Sequence, residues 1–386
     1  MNGRAIIFLF TAGLWLGAFG WKTLNSQDAV AEQNQQPSRL QLIHALVSRG
    51  EERNGVPLRI LEGDVHIQQD SLHLFCDRAI YNPVARKVVL KGNVRLQQGN
   101  TILFAHQITY WEDTRKAIAE GEVVLKQPGR KLRTPYLEYF YETDAARAEQ
   151  HITIVDDSQR VIITAQQGEY HPERHLAFVE KNAHFMQLDS TQKDTLHIFA
   201  HKLAYFFRPG RLAVASRNVR VLQQRMEATC DSIIYNLDDS TAVLQVQPVA
   251  RQEGNQLMGD RIIFYLSGNR VQRISVVGNK AHAVSIADSL NGWENQLSGK
   301  WIHLYLKESR LDYLEAIQQA SSQYYVADNG HFVGKNTASA DTIRVFFKEG
   351  QVDSIVVKGG AEGRYEPLPD SSATPQINDG NKGRKD

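Results

Sequence analysis

Residues 63–92 read GDVHIQQDSLHLFCDRAIYNPVARKVVLKG, and the same phrase then starts again. Gly92-Asn93-Val94 opens a second copy and Gly121-Glu122-Val123 a third. Self-similarity at a fixed period marks a repeat architecture, in which one unit is too short to bury its own apolar face and its neighbours must cover it. Two anchors carry the phrase along the chain. The first is Gly-x-Val or a degenerate form: Gly63, Gly92, Gly121, then Gln150-His151-Ile152, Lys181-Asn182-Ala183, Arg217-Asn218-Val219 and Gln247-Pro248-Val249. The second is a small residue followed five positions later by an aromatic one. It pairs Cys76 with Tyr81, Ala105 with Tyr110, Thr134 with Tyr139, Ala165 with Tyr170, Ala200 with Tyr205, Cys230 with Tyr235 and Gly259 with Phe264. Gly299 with Leu304 and Ala340 with Val345 continue it weakly. The intervals are 29, 29, 31, 35, 30, 29, 40 and 41 residues, which makes nine copies with loops expected to lengthen at 285–298 and 319–336.

Within a copy the apolar residues alternate, as in Val65, Ile67, Leu74 and Cys76, while His66, Gln68, His73, Asp77, Arg95 and Lys116 fall on the other face. Period two over four to six residues is the half-buried strand signal. Asn82-Pro83, Gly99-Asn100, Pro128-Gly129, Pro209-Gly210, Gly254-Asn255 and Gly268-Asn269 mark turns. Each copy is therefore expected to hold three or four short strands that pair along the stack, and no helical period is sustained. The fold class is all-β, an elongated solenoid of about nine repeats. Residues 40–47, LQLIHALV, fit a strand covering the first copy, with His44-Ala45 in the place of Cys76; a short helix capped by Ser38 is the other reading.

The chain has 386 residues, 42% of them hydrophobic, with 44 basic and 43 acidic side chains. A net charge of +1 offers nothing to neutralise a phosphate backbone, so no nucleic-acid partner is expected. Cys76 and Cys230 occupy the same place five copies apart; at about 4.8 Å per rung that is about 24 Å, beyond the reach of a disulfide. Both read as small buried residues. Arg4 precedes an apolar run from Ala5 to Trp21. Residues 1–21 fit either a cleaved export signal or an uncleaved membrane anchor, and in both cases the rest is exported. A polar linker at 22–39, repeats at 40–363 and a disordered tail at 364–386 complete the expected organisation.

The stretch LEGDVHIQQDSLHLFCDRAIYNPVARKVVLKGNVRLQQGNTILFAHQITY, with GNRVQRISVVGNKAHA at 268–283 and GQVDSIVVKGGAEG at 350–363, resembles the OstA-like family of lipopolysaccharide transport proteins. That family includes LptA- and LptC-type proteins and the N-terminal domain of LptD. The resemblance spans residues 40–363, and nine copies exceed the short bridge and anchor proteins of the family. It implies a twisted, partly open β-jellyroll whose apolar interior receives lipopolysaccharide acyl chains. It also implies a periplasmic location, secreted or tethered at the inner membrane by residues 5–21, and end-to-end partners of the same fold. On that basis the candidate lipid-binding positions are Val65, Ile67, Leu74, Tyr81, Val88, Leu90, Val94, Leu96, Leu103, Ile108, Tyr110, Val123, Leu125, Leu137 and Tyr139. For the aromatic series itself, a packing ladder is the default.

No catalytic residue, metal ligand or cofactor is expected. His171-Pro-Glu-Arg-His175 and His197-Ile-Phe-Ala-His201 have the spacing of a zinc pair but lack the glutamate after the first histidine. Gly292 to Gly299-Lys300 is too long for a phosphate loop, and Trp301 replaces its Ser or Thr. Lys91, Arg95, Lys126 and Arg130 read as a solvated face. The alternative to a lipid-transport component is a β-solenoid scaffold or carbohydrate-active enzyme, which would need charged residues converging from adjacent rungs. Asp77 and Asp231 share a register but stand five copies apart.

Overall fold

The computed structural model describes residues 38–188, 195–207, 210–267, 270–308, 310–328 and 331–368, the Lys280 side chain excepted. The expected export segment, most of the linker and the end of the tail lie outside these residues. The described chain is an antiparallel meander. Two short strands, β1 (Gln41–His44) and β2 (Val47–Arg53), cover β3 (Val56–Gln69). There follow β4 (Leu72–Asn82), β5 (Lys87–Gln98), β6 (Thr101–Trp111), β7 (Lys116–Gln127), β8 (Arg130–Phe140), β9 (Ala145–Asp156), β10 (Val161–His171), β11 (Leu176–Leu188), β12 (Thr195–Phe206), β13 (Leu212–Gln223) and β14 (Met226–Asn236), each paired with the next. The strand reading of 40–47 holds, and Leu46 donates its N–H to the Gly63 carbonyl at 3.0 Å.

A copy is thus two long strands rather than three or four short ones. The reason lies in the first anchor, which ends no strand but bends one. Gly63 and Asp64 have φ of 77° and 44°, Gly92 and Asn93 73° and 45°, Gly121 and Glu122 76° and 47°. Opposite this left-handed pair the next strand offers one residue. Glu62 faces Arg78 and Val65 faces Cys76, so Gly63-Asp64 bulges against Asp77 alone. A β-bulge bends the strand and raises its twist. The same pair recurs without glycine at Gln150-His151, Lys181-Asn182, Arg217-Asn218 and Gln318-Gln319. A Cβ on Gly92 would stand 2.4 Å from Asp77 Oδ2, so this corner demands glycine by space as well as by φ.

The second anchor reports the same corner from the adjacent strand. In a straight strand, residues five apart point to opposite faces. Cys76 points inward and Tyr81 packs on the same core, so the chain turns between them, at Asp77-Arg78. Every long strand therefore belongs to two half-sheets. One half-sheet lies beside the hairpin turns at 70–71, 99–100, 128–129, 157–160 and 224–225; the other lies beside those at 83–86, 112–115, 141–144, 172–175 and 237–240. We call these two margins rim A and rim B.

Beyond β14 the meander continues with interruptions. β15 (Thr241–Gln245) and β16 (Val249–Gln252) are one strand broken at its corner, and β17 (Asn255–Met258) and β18 (Arg261–Ser267) another. Their pairings run from β14 through both pieces to β19 (Arg270–Asp288), closing a ring of ladder partners. β20 (Trp293–Lys307), β21 (Arg310–Asp328), β22 (His331–Lys348), β23 (Gln351–Lys358) and β24 (Glu362–Pro367) complete the sheet. The segments expected as loops, 285–298 and 319–336, are mostly strand: it is the strands that lengthen here, to 19, 19 and 18 residues in β19, β21 and β22. Their Ser, Gln and Asn residues obscure the alternation because both faces of these extensions meet water. The last strand also runs four residues past the expected end of the repeats. Cys76 and Cys230 sit on β4 and β14, ten strands apart rather than five rungs, about 48 Å at ladder spacing; both are free thiols.

Candidate functional site: an apolar interior with one closed and one open section

The inner faces of the two half-sheets meet in a single core running from Leu61 to Val345. All but one of the candidate lipid-binding positions are buried there, among them Leu74, Leu90, Leu103, Ile108, Leu137 and Tyr139 at 0% exposure; Tyr81 is half-buried. The topology brings these residues together, and in this structure protein side chains fill the space between them.

The interior is held shut by contacts between the rims, which the sequence reading did not find. An 11-residue strand such as β4 or β6 spans about 36 Å, so residues on the two rims of a flat sheet could not touch. Here they do. The Tyr110 hydroxyl, on rim B, donates to Gln69 Oε1 on rim A at 2.6 Å. Tyr205 donates to Asp156 Oδ2 at 3.3 Å and Tyr235 to Gln187 Oε1 at 2.7 Å. Arg115 pairs with Asp70 across the same gap at 2.7 Å. The Arg130 guanidinium reaches the Tyr170 hydroxyl at 3.3 Å and lies 4.3 Å above the Phe207 ring. In four of these five ties the partners are three strands apart, so the rims join with a constant stagger.

The tyrosines suit this position because ring and hydroxyl divide the work. The ring fills the interior margin, and the buried hydroxyl needs a partner. Burial raises the Tyr110, Tyr139 and Tyr205 hydroxyls well above their ordinary range and Tyr235 to about 12, so all four remain donors. Tyr139 turns to Asp144 on its own rim at 2.7 Å, and Tyr81 to the buried Glu112, also held by Arg86 Nε at 3.1 Å.

Farther along, the aromatic position becomes Phe264, Leu304 and Val345. None carries a hydroxyl. Among the described residues of β19–β23, no hydrogen bond or ion pair crosses between the rims. A cavity of about 630 Å³ opens there, lined from both half-sheets by Leu257, Ile274, Leu297, Leu304, Leu306, Leu311, Leu314, Phe347 and Val352, with Arg251, Glu253, Arg310 and Glu349 among its polar lining. Its volume is that of an ordinary ligand pocket.

The outer face is less plainly solvated than expected. Arg95 lies 4.1 Å over Phe75 and Lys126 5.1 Å over Phe104. Two histidine pairs stand on it, His66 Nε2 to His73 Nδ1 at 3.1 Å and His184 Nε2 to His197 Nδ1 at 3.0 Å, each stacked on a phenylalanine. Burial, and then the neighbouring histidine, lowers the pKa of His66 and of His184. His171 and His175 flank a short 3₁₀ turn, and no cluster able to hold a metal is found among the described residues. Burial lifts the Cys76 thiol to about 12 and that of Cys230 to about 11, leaving both unreactive at neutral pH. No helix among the described residues is long and apolar enough to cross a membrane.

The strands through β11 are similar to a known family. Residues 38–191 match the model of the family described as OstA-like protein. The later strands, outside that match, repeat the same corner and the same small residue. Among solved structures, the chain is similar to LptH from Pseudomonas aeruginosa, described as the LptA homologous periplasmic component of the conserved lipopolysaccharide transport device. The identity is 18%, over 34% of this chain and 82% of that one, with a TM-score of 0.27; at that level the likeness does not bear on function. No curated protein matches the sequence.

Proposed function

We propose that this protein is a periplasmic lipopolysaccharide-binding component of an envelope transport bridge, which keeps acyl chains from water between its two half-sheets. The observation that carries the reading is the apolar interior itself, continuous along the stack and ending in an open apolar cavity. Each methylene taken from water contributes about 0.8 kcal/mol, so a chain of twelve carbons is held by several kcal/mol. Such a lipid does not cross an aqueous space unaided, and an interior joined end to end with others of its kind lets it move without exposure. The OstA-like match supports the reading for residues 38–191. No reacting group is needed for this task. A parallel β-helix enzyme is disfavoured, since the ladders are antiparallel throughout.

Photocrosslinking of the full chain to purified lipopolysaccharide tests the proposal. A reactive side chain introduced at Leu304, on the cavity wall, is expected to capture lipid, and one at Arg95 is not. Capture from Arg95 alone would sink it.

A further inference from the structure

We infer that the section between β19 and β23 is the port at which acyl chains engage this protein, and that the tyrosine seam keeps the section from β3 to β14 closed until its cross-rim bonds part. The inference rests on the reading of the interior as an acyl-chain site and adds where that site is accessible and what restrains the remainder.

Three independent observations converge. The first is chemical: the rim B position holds tyrosine from Tyr81 through Tyr235 and then Phe264, Leu304 and Val345. A hydroxyl can tie the rims, and an apolar side chain cannot. The second is geometric: the ties Tyr110–Gln69, Tyr205–Asp156 and Tyr235–Gln187 lie in the first section, and the 630 Å³ cavity lies in the second. The third is burial. Leu103 and Ile108 in the first section are fully enclosed, while Leu306, Leu311, Phe347 and Val352 in the second are only half-buried and line the cavity.

The energetics fit a latch. Each tie is a single hydrogen bond or ion pair, and taking a few methylenes from water offsets a contribution of that size. An acyl chain entering from the open section would thus offset the loss of each tie as it advances. The charges at the mouth, Arg251 and Arg310 against Glu253 and Glu349, are mixed in sign, so the apolar chain rather than the headgroup selects this port.

The test uses a diazirine-bearing fatty acid, photolysed with the full chain and mapped by peptide mass spectrometry. Adducts are expected on residues 297–355 at least tenfold above those on 88–125. In the triple variant Tyr110→Phe, Tyr205→Phe, Tyr235→Phe, adducts on 88–125 should rise severalfold while those on 297–355 stay level. Leu314→Trp, which fills the cavity and leaves the seam untouched, should lower the 297–355 adducts severalfold even if the triple variant fails to fold. Equal labelling of both sections in the parent chain, no labelling at all, or no response to Leu314→Trp overturns the inference. Unlabelled lipopolysaccharide is the competitor that separates the two proposals. Labelling of 297–355 that it displaces supports both; labelling that it leaves unchanged keeps the port and removes lipopolysaccharide as its cargo.

Discussion

The copy that contains Tyr110 and the copy that contains Leu304 use the same backbone device: a long strand, a small residue, a corner, and a large side chain aimed at the rim. One is shut by a hydrogen bond to a strand three places back, and the other borders an open cavity. One position separates them: a phenol at Tyr110, an aliphatic side chain with no hydroxyl at Leu304. The comparison teaches that the repeat specifies the fold, and that departures from it decide where the interior can be reached.

The largest expected effect comes from the cores. Leu103→Ala, in the closed section, should cost about 3 kcal/mol of unfolding free energy, because its fully enclosed neighbours cannot collapse onto the void. Leu304→Ala, already beside a cavity, should cost less, about 2 kcal/mol, by the lost transfer energy alone. Urea denaturation of both variants checks this, and equal costs would erase the distinction between the sections.

The seam comes next. Tyr205→Phe should cost about 1–2 kcal/mol, since it strands the buried Asp156 carboxylate without that donor. Phe264→Tyr should change stability by less than about 0.5 kcal/mol. A comparable loss is expected from Gly92→Ala, about 1–2 kcal/mol, where φ of 73° and the Asp77 carboxylate both oppose a side chain. Gly99→Ala, at a two-residue turn with open space around it, should cost less.

Acid should weaken the sections unequally. His66 and His184 in the closed section, and His303 in the open one, all have lowered pKa values, with burial the leading cause. The folded state then binds fewer protons than the unfolded state, whose histidines titrate near 6.5. Stability is therefore full above that value and falls as pH drops through it toward the lowered folded values. The stacked pairs should make the closed section lose more between pH 7.5 and 5.5, as read by urea midpoints. His66→Gln with His184→Gln should flatten the profile.

The smallest effect concerns the thiols. Cys76 and Cys230, raised to about 12 and 11 by burial, should react with Ellman's reagent only after denaturant opens the sheet. Rapid reaction in native buffer would show that the closed section breathes.

Much of this architecture was legible in the sequence. Alternation at Val65, Ile67, Leu74 and Cys76 announces strands, and the two anchors set the period of the early copies. The role of Gly63 and Gly92 was not legible, because a turn and a bulge both ask for the same left-handed glycine; only the register against Asp77 tells them apart. The long strands at 285–298 and 319–336 resembled loops because extensions wetted on both faces have no reason to alternate. The seam was invisible for another reason. Tyr110 and Gln69 are 41 residues apart, Tyr205 and Asp156 49, and no local pattern links such pairs. The replacement of tyrosine by Phe264, Leu304 and Val345 was in plain view, but without the rims it reads as decay of a repeat.

The stagger of the seam has a consequence for folding. In a simple meander each strand is stabilised only by its two neighbours, so the structure can fray one hairpin at a time. A tie between strands three apart removes that freedom: β6 cannot detach from β5 without also releasing β3. Strands β3 through β14 should behave as one cooperative unit with slow, collective amide exchange, while β19 through β24 exchange progressively from the C-terminal edge. The same phenolic hydroxyls that close the interior would then make half of a repeat array unfold as a single domain.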